Sequence, residues 1–273
     1  MLGAIFGDIV GSVYEFNNIK SKYFELFDRR CFFTDDTVMT LAVARALTVY
    51  DEKCEGGLSD LGLFKKILVE QMHGFGANYP CVGYGGRFLT WLIERRTQPY
   101  NSFGNGSAMR VSPVVWYARS LQEAVALASA SAEVTHNHPE GVKGAVVTAG
   151  AAYLARAGAG KERIREFIAT YYDINFTLDE IRPTYRFNET CQQTVPQAMV
   201  AFLESDSFED AIRNAISIGG DSDTLAAITG AVAEAFYGMD KEQIVSVITR
   251  LDKNLIAHLV SFQECVRKRG EKA

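Results

Sequence analysis

Apolar residues recur three and four positions apart along almost the whole chain, which is the spacing of one face of an α-helix. Alternating runs of strand length are nearly absent, and only 20–27 and 181–187 are candidates for short extended pieces. The pattern predicts an all-α protein of roughly ten to thirteen helices. The periodic segments are 37–50, 58–72, 85–96, 120–134, 139–157, 161–172, 195–204, 207–218, 224–238, 241–251 and 255–269.

The helical segments show no sign of a domain boundary. The chain has only six prolines, no Ser- or Pro-rich linker and no repeat of fixed period, so we expect one compact domain over 1–273. Alanine and glycine are concentrated at 144–158 and 225–238, which predicts close approach between helices. The longest strongly apolar stretch, 144–155, is too short to span a bilayer, so no membrane partner is expected.

Composition narrows the class of protein further. A net charge of −5 offers no broad basic field, which makes a nucleic-acid partner unlikely without excluding a local patch. The five cysteines are an odd number and include no CxxC pair, which favours reduced thiols over disulfides or a zinc site. Asp8 interrupts the N-terminal apolar stretch, so no export signal is visible. We expect a cytoplasmic protein, with a monomer as the default.

Two acidic clusters interrupt the apolar pattern, TDDT at 34–37 and GGDSDT at 219–224. An N-cap, worth about 1 kcal/mol, explains one Thr or Asp at the start of a helix but not two neighbouring acids. Two carboxylates about 4 Å apart repel by about 4 kcal/mol at an effective dielectric of about 20, more than a helix dipole offsets. If the clusters meet, a hard divalent cation such as Mg²⁺, Mn²⁺ or Ca²⁺ would compensate them. So many carboxylates favour two ions over one.

Two more segments carry polar residues that a plain bundle does not need. Gly3, Gly7 and Gly11 predict a flat face for a neighbouring helix, while Asp8 and Glu15 share another face. A solvated stripe is the simpler interpretation of these two acids. The loop at 104–107 exposes backbone N–H groups that suit phosphate oxygens, although an ordinary loop fits this sequence as well.

Taken together and in order, these motifs resemble the ADP-ribosylglycohydrolase family. They are GAIFGDIVGSVYE at the start, FTDDT, GNGSAMRVSP, THNHPEG, and IGGDSDTLAAITGAVAEAFYG near the end, so the resemblance spans most of the chain. It implies an all-α orthogonal bundle with two Mg²⁺ or Mn²⁺ ions in a cleft. It also implies hydrolysis of the bond between ADP-ribose and an acceptor.

The resemblance also implies roles for individual residues. Asp8 would be a supporting acid, and the base would be Glu15, Asp35 or Asp36, because no carboxylate stands between Glu94 and Glu123. The implied metal ligands are Thr34, Asp35, Asp36, Asp221, Asp223 and Thr224. The implied substrate contacts are Gly104, Asn105, Gly106 and Ser107 at the diphosphate and His136 near the adenosine.

The expected reaction is attack of a metal-activated water on the anomeric carbon of the distal ribose. The acceptor is left open: a protein arginine or serine, an acetyl ester or a nucleic-acid base. The partner would thus be an ADP-ribosylated protein or a small ADP-ribose conjugate. Two alternatives remain: a catalytically silent ADP-ribose-binding or structural protein, and a metal-dependent phosphohydrolase that cleaves a nucleotide diphosphate.

Overall fold

The computed structural model describes residues 1–54 and 60–271, and within these ranges it is helical with no strand. The all-α prediction is confirmed. Two of the helices, α5 and α10, have only four residues each, which accounts for the excess over the expected number. The helices are α1 (Leu2–Gly11), α2 (Asp35–Cys54), α3 (Leu61–Asn78), α4 (Gly86–Ile93), α5 (Gly106–Met109), α6 (Ser112–Tyr117), α7 (Leu121–Glu133), α8 (Pro139–Arg156), α9 (Lys161–Ala169), α10 (Leu178–Ile181), α11 (Cys191–Leu203), α12 (Phe208–Ser217), α13 (Ser222–Tyr237), α14 (Lys241–Ile248) and α15 (Lys253–Glu271).

The two segments that the sequence offered as short extended pieces are not strands. Residues 20–27 form an irregular connection before α2, and 182–187 form an irregular connection after α10, so neither is a strand. The first two residues of the predicted segment 58–72 lie outside the described residues. Among the described residues, no helix is long and apolar enough to cross a membrane. All five cysteines are free thiols.

The glycine stripe of α1 packs directly on α13. A Cβ at Gly7 would lie 2.1 Å from the carbonyl oxygen of Ala226, and one at Gly11 would lie 2.4 Å from the Cα of Asp223. Both distances are shorter than real Cβ contacts, so any side chain here would force the two helices apart. The predicted flat face is therefore present, and it brings the C-terminal end of α1 against the start of α13.

Helices α8 and α13 form the centre of the core. Both are rich in alanine and glycine, and most of their residues are fully buried against the helices around them. Burial on all sides explains why neither helix has a strongly polar face. The start of α13 therefore lies deep in the molecule, and the acids there cannot be solvated as surface carboxylates would be.

Candidate functional site

Asp8 joins α1 to the start of α2. Its carboxylate is fully buried, and it accepts hydrogen bonds from the backbone N–H groups of Thr34 and Thr37, each at 3.0 Å. The hydroxyl of Thr34 also donates to Asp8 at 2.6 Å, as does the hydroxyl of Thr37. A carboxylate that satisfies these donors fixes the position of the first turn of α2. Asp8 thus supports the neighbouring acids.

The acid at the N-cap position of α13 does not cap the helix. Asp221 occupies the N-cap position, but its side chain makes no capping hydrogen bond. It instead accepts a 2.7 Å hydrogen bond from the side-chain amide of Asn105, which belongs to the loop before α5. Helix capping is therefore not the reason for the carboxylate of Asp221, and the loop at 104–106 is fixed to the acidic cluster.

The structure brings the two acidic clusters together. The hydroxyl of Thr224 donates to Asp36 at 3.3 Å, which joins the starts of α13 and α2. Glu15, Asp221 and Asp223 each present a carboxylate oxygen within 4.8 Å of the others. Oδ1 of Asp36 is buried, and among the described residues it has no hydrogen-bond partner. An all-oxygen donor set with an unsatisfied buried carboxylate oxygen fits a hard divalent cation.

Burial and mutual repulsion raise the pKa values of the clustered carboxyl groups. Burial raises the pKa of Asp36 and Asp35 well above the usual range, and the charge of Asp223 raises both pKa values further. Burial likewise raises the pKa of Asp223, and Asp221 is the next cause. The pKa of Glu15 rises to about 8, first through burial and then through Asp223. The protein alone does not neutralise these carboxylates, so a bound cation would favour their ionised forms.

The loop at 104–106 lies beside His136. A side chain at Gly106 would come within 3.2 Å of Nε2 of His136, so this position needs a small residue. Burial lowers the pKa of His136 well below 6.5, and the ring is therefore neutral. Ser107, expected at the diphosphate, lies inside α5, and its hydroxyl donates to the carbonyl of Gly141 at 2.6 Å.

The clusters and the loop line a single cavity of about 230 Å³. Thr34 and Ser107 are absent from its wall, since their hydroxyls donate to Asp8 and Gly141 instead. The other proposed site residues all line this cavity: Glu15, Asp35, Asp36, Gly104, Asn105, Gly106, His136, Asp221, Asp223 and Thr224.

The same arrangement of motifs extends to known proteins, since the model of one family, ADP-ribosylglycohydrolase, matches residues 1–257. The chain belongs to the ADP-ribosylglycohydrolase family. Mouse (Mus musculus) ADP-ribosylhydrolase ARH3 is 26% identical, over 88% of this chain and 83% of that protein. The ADP-ribosylarginine hydrolase Tri1 of Pseudomonas putida is 28% identical, over 88% of this chain and 70% of that protein.

Two further similarities span much of the chain. The ADP-ribosyl-[dinitrogen reductase] glycohydrolase of Rhodospirillum rubrum is 27% identical, over 76% of this chain and 69% of that protein. A solved structure described as an ADP-ribosylglycohydrolase-related protein complex has a TM-score of 0.68 and covers 97% of both chains. It is 22% identical in sequence, so it supports the fold alone.

In this member of the ADP-ribosylglycohydrolase family, the side chains of Asn18 and Lys20 hold the GGDSDT loop in place through hydrogen bonds to backbone groups. The side-chain amide of Asn18 donates to the carbonyl of Gly220 at 2.8 Å and accepts from its N–H at 2.7 Å. Lys20 donates to the carbonyls of Tyr185 and Ile218. No motif in the sequence pointed to Asn18 or Lys20, because their partners lie some 165 to 202 residues away.

Two arginines, Arg87 and Arg110, also line the cavity. The guanidinium of Arg87 lies 4.9 Å from the ring centroid of Tyr100 and donates to the Tyr100 carbonyl. Arg110 is 1% exposed and donates to the hydroxyl of Thr135 at 2.9 Å, and that hydroxyl lies 2.7 Å from Nδ1 of His136. Burial lowers the pKa of Arg110 to about 10, which still leaves it charged at neutral pH. The cavity of this family member is therefore lined by both acidic and cationic side chains.

Proposed function

We propose that this protein hydrolyses the glycosidic bond between the distal ribose of ADP-ribose and an acceptor, with two Mg²⁺ or Mn²⁺ ions, and releases ADP-ribose. One observation carries the proposal: a single cavity is lined both by the acids of α2 and α13 and by the 104–106 loop with His136. The acids suit cations that hold ribose hydroxyls, and the loop and the neighbouring arginines suit a diphosphate. The names of the relatives, which are hydrolases of ADP-ribosyl groups, support the same reaction.

The acids from both clusters would hold the cations. Asp36 contributes a buried oxygen with no other partner in the described residues, and Asp221 and Asp223 contribute oxygens close to Glu15. A bound divalent cation would lower the pKa of a coordinated water and orient the ribose hydroxyls. Of the six ligands expected from the sequence, Thr34 donates its hydroxyl to Asp8 and does not line the cavity, so the proposed ligand set is Asp35, Asp36, Asp221, Asp223 and Thr224.

The chain's own residues would then orient the substrate. The N–H groups of Gly104 and Asn105 already donate to Ser102 and to the carbonyl of Glu189, so the N–H of Gly106 would be the one to bind the diphosphate. Arg87 and Arg110, which line the same cavity, favour an anionic ligand. His136, which is neutral, can donate or accept one hydrogen bond near the adenosine without adding charge. Asn105 would couple this half to the acids, because its amide is already bonded to Asp221.

Glu15 is the proposed base. It lies at the mouth of the cavity and is only partly buried, which gives its carboxylate access to an attacking water. Burial and the charge of Asp223 raise the pKa of Glu15 in the metal-free cluster, and cations bound beside it would favour the ionised form that accepts a proton. Asp35 and Asp36 remain the other candidates for this role. The surrounding carboxylates would also stabilise the positive charge that develops on the anomeric carbon.

Product analysis of matched variants tests the proposal. Asp223→Asn should abolish release of ADP-ribose from ADP-ribosyl conjugates with Mg²⁺ present, while exposed Asp206→Asn should leave it unchanged. Far-ultraviolet circular dichroism would verify that both variants fold. AMP as the product would indicate the phosphohydrolase. Tight ADP-ribose binding without turnover of any conjugate would indicate the silent binding protein. Either result would overturn the proposed reaction.

A further inference from the structure

An exposed aromatic pair flanks two acids that line the cavity, Glu15 and Glu189. Phe16 follows Glu15 directly and is 80% exposed, and Phe187, two residues before Glu189, is 42% exposed. Their rings stack with centroids 6.1 Å apart and an interplanar angle of 21°. Exposed aromatic side chains placed together at the mouth of a pocket are costly in water and mark a contact surface for a ligand.

The pair is held in place by the contacts around the GGDSDT loop. Asn18, two residues after Phe16, makes two hydrogen bonds with the backbone of Gly220. Lys20 donates to the carbonyl of Tyr185, two residues before Phe187. The two segments that carry the rings are thus tied to each other and to the acidic cluster, so the pair is preorganised for binding.

A carboxylate accompanies this aromatic pair. Glu189 lines the cavity, and among the described residues its side chain has no hydrogen-bond or ion-pair partner. Its backbone carbonyl accepts from the N–H of Asn105 at 2.7 Å, which fixes the position of Glu189 next to the phosphate-binding loop. An aromatic face beside a free carboxylate is the combination that recognises a planar cation, because guanidinium groups both stack on rings and pair with carboxylates.

We propose that Phe16, Phe187 and Glu189 form the acceptor subsite and that they select a guanidinium, the side chain of an ADP-ribosylated arginine. This inference rests on the proposed function. With the diphosphate on the 104–106 loop and the distal ribose at the acids, the acceptor leaves the cavity past Glu15 and reaches these residues. A serine oxygen or an acetyl ester has no cation for this surface to bind.

Selectivity between two acceptors measures this subsite directly. We would determine kcat/KM for release of ADP-ribose from ADP-ribosyl-arginine and ADP-ribosyl-serine peptides of otherwise identical sequence. The intact protein should prefer the arginine peptide. Phe16→Ala and Glu189→Gln should each lower the arginine-to-serine ratio by about two- to fivefold, which is the range for an exposed cation–π or ion-pair contact. Phe187→Ala should act in the same direction.

A substitution of another exposed aromatic residue serves as the control for the acceptor subsite. Tyr23→Ala removes an aromatic side chain that is 95% exposed and lines a separate groove with Lys22 and Arg213, so it should keep the ratio of the intact protein. A preference for the serine peptide, or a ratio unchanged in Phe16→Ala and Glu189→Gln, overturns the acceptor subsite while leaving the hydrolase reaction in place. No release from either peptide overturns the hydrolase reaction and this inference with it.

Discussion

Replacing Asp36 by Asn should stabilise the metal-free protein while removing its response to metal. Asp36 is 3% exposed, and the charges of Asp223, Asp8, Asp35 and Asp221 all raise its pKa after the larger effect of burial. Its folded pKa lies above the unfolded value of 3.8, so folding costs free energy at every pH above that value. The cost grows as the pH rises and disappears as the pH falls towards 3.8.

The size of the effect follows from this linkage. A group that must be protonated on folding costs about 1.4 kcal/mol for each pH unit above its unfolded pKa, which bounds the cost at about 4 kcal/mol at pH 7. Asn has nearly the same shape as Asp, and its carbonyl can still accept from Thr224. We expect Asp36→Asn to gain about 1–4 kcal/mol in EDTA, or about 2–10 °C in Tm for a chain of this size.

Thermal unfolding with and without metal gives the comparison. A saturating metal at 100 times its Kd stabilises the native protein by about 2.7 kcal/mol. The intact protein should therefore gain stability from Mg²⁺, and Asp36→Asn should gain much less. Asp206→Asn, an exposed substitution, serves as the control and should behave as the intact protein does. Lower stability of Asp36→Asn than of the intact protein in EDTA would show that the buried carboxylate does not destabilise the metal-free protein. Equal stabilisation of both proteins by Mg²⁺ would show that Asp36 does not bind the metal.

Three further predictions follow from single contacts. Gly7→Ala should lower the free energy of unfolding by about 1–3 kcal/mol in urea, because its Cβ would lie 2.1 Å from a carbonyl of α13, whereas Gly74→Ala meets no atom within 4 Å and should not destabilise. Asn18→Ala should weaken Mg²⁺ binding by calorimetry, because it removes both hydrogen bonds to Gly220. His136→Phe should lose less stability than the intact protein between pH 6.5 and 5, because the folded pKa of His136 is depressed and only the unfolded state takes up the proton.

Each of these has a clear contrary result. Equal urea midpoints for Gly7→Ala and the intact protein would mean that α1 and α13 can separate without cost. An unchanged Mg²⁺ affinity in Asn18→Ala would show that the GGDSDT loop holds its shape without this amide. Identical pH slopes for His136→Phe and the intact protein would show that the ring is protonated in the folded state.

Periodicity predicted the helices well because each helix has its own apolar face, which is a local property. The same holds for Gly3, Gly7 and Gly11, whose spacing predicted a flat contact face. What periodicity does not contain is the identity of the partner, and the structure shows it to be α13. The acids of TDDT and GGDSDT stood out for a related reason, since carboxylates at the start of an apolar helix conflict with burial.

Other parts of the site depend on contacts between distant segments. The resemblance implied Ser107 as a contact to the diphosphate, yet its hydroxyl donates to Gly141, which belongs to a helix that periodicity cannot place beside it. Asn18 and Arg87 lie in segments with no motif, and their roles follow from contacts with Gly220 and Tyr100 that only the folded chain shows. The chemistry of the acids was thus predictable, but the residues that position them were not.

Metal-dependent release of ADP-ribose from an ADP-ribosylated peptide separates a metal-dependent hydrolase from the two alternatives. An ADP-ribosylated arginine peptide would be incubated with the protein in Mg²⁺, in EDTA, and in EDTA followed by excess Mg²⁺, with products identified by mass spectrometry. We expect free ADP-ribose and unmodified peptide with Mg²⁺, no release of ADP-ribose in EDTA, and renewed release when excess Mg²⁺ is added. Release that continues in EDTA, or AMP in place of ADP-ribose, would contradict it.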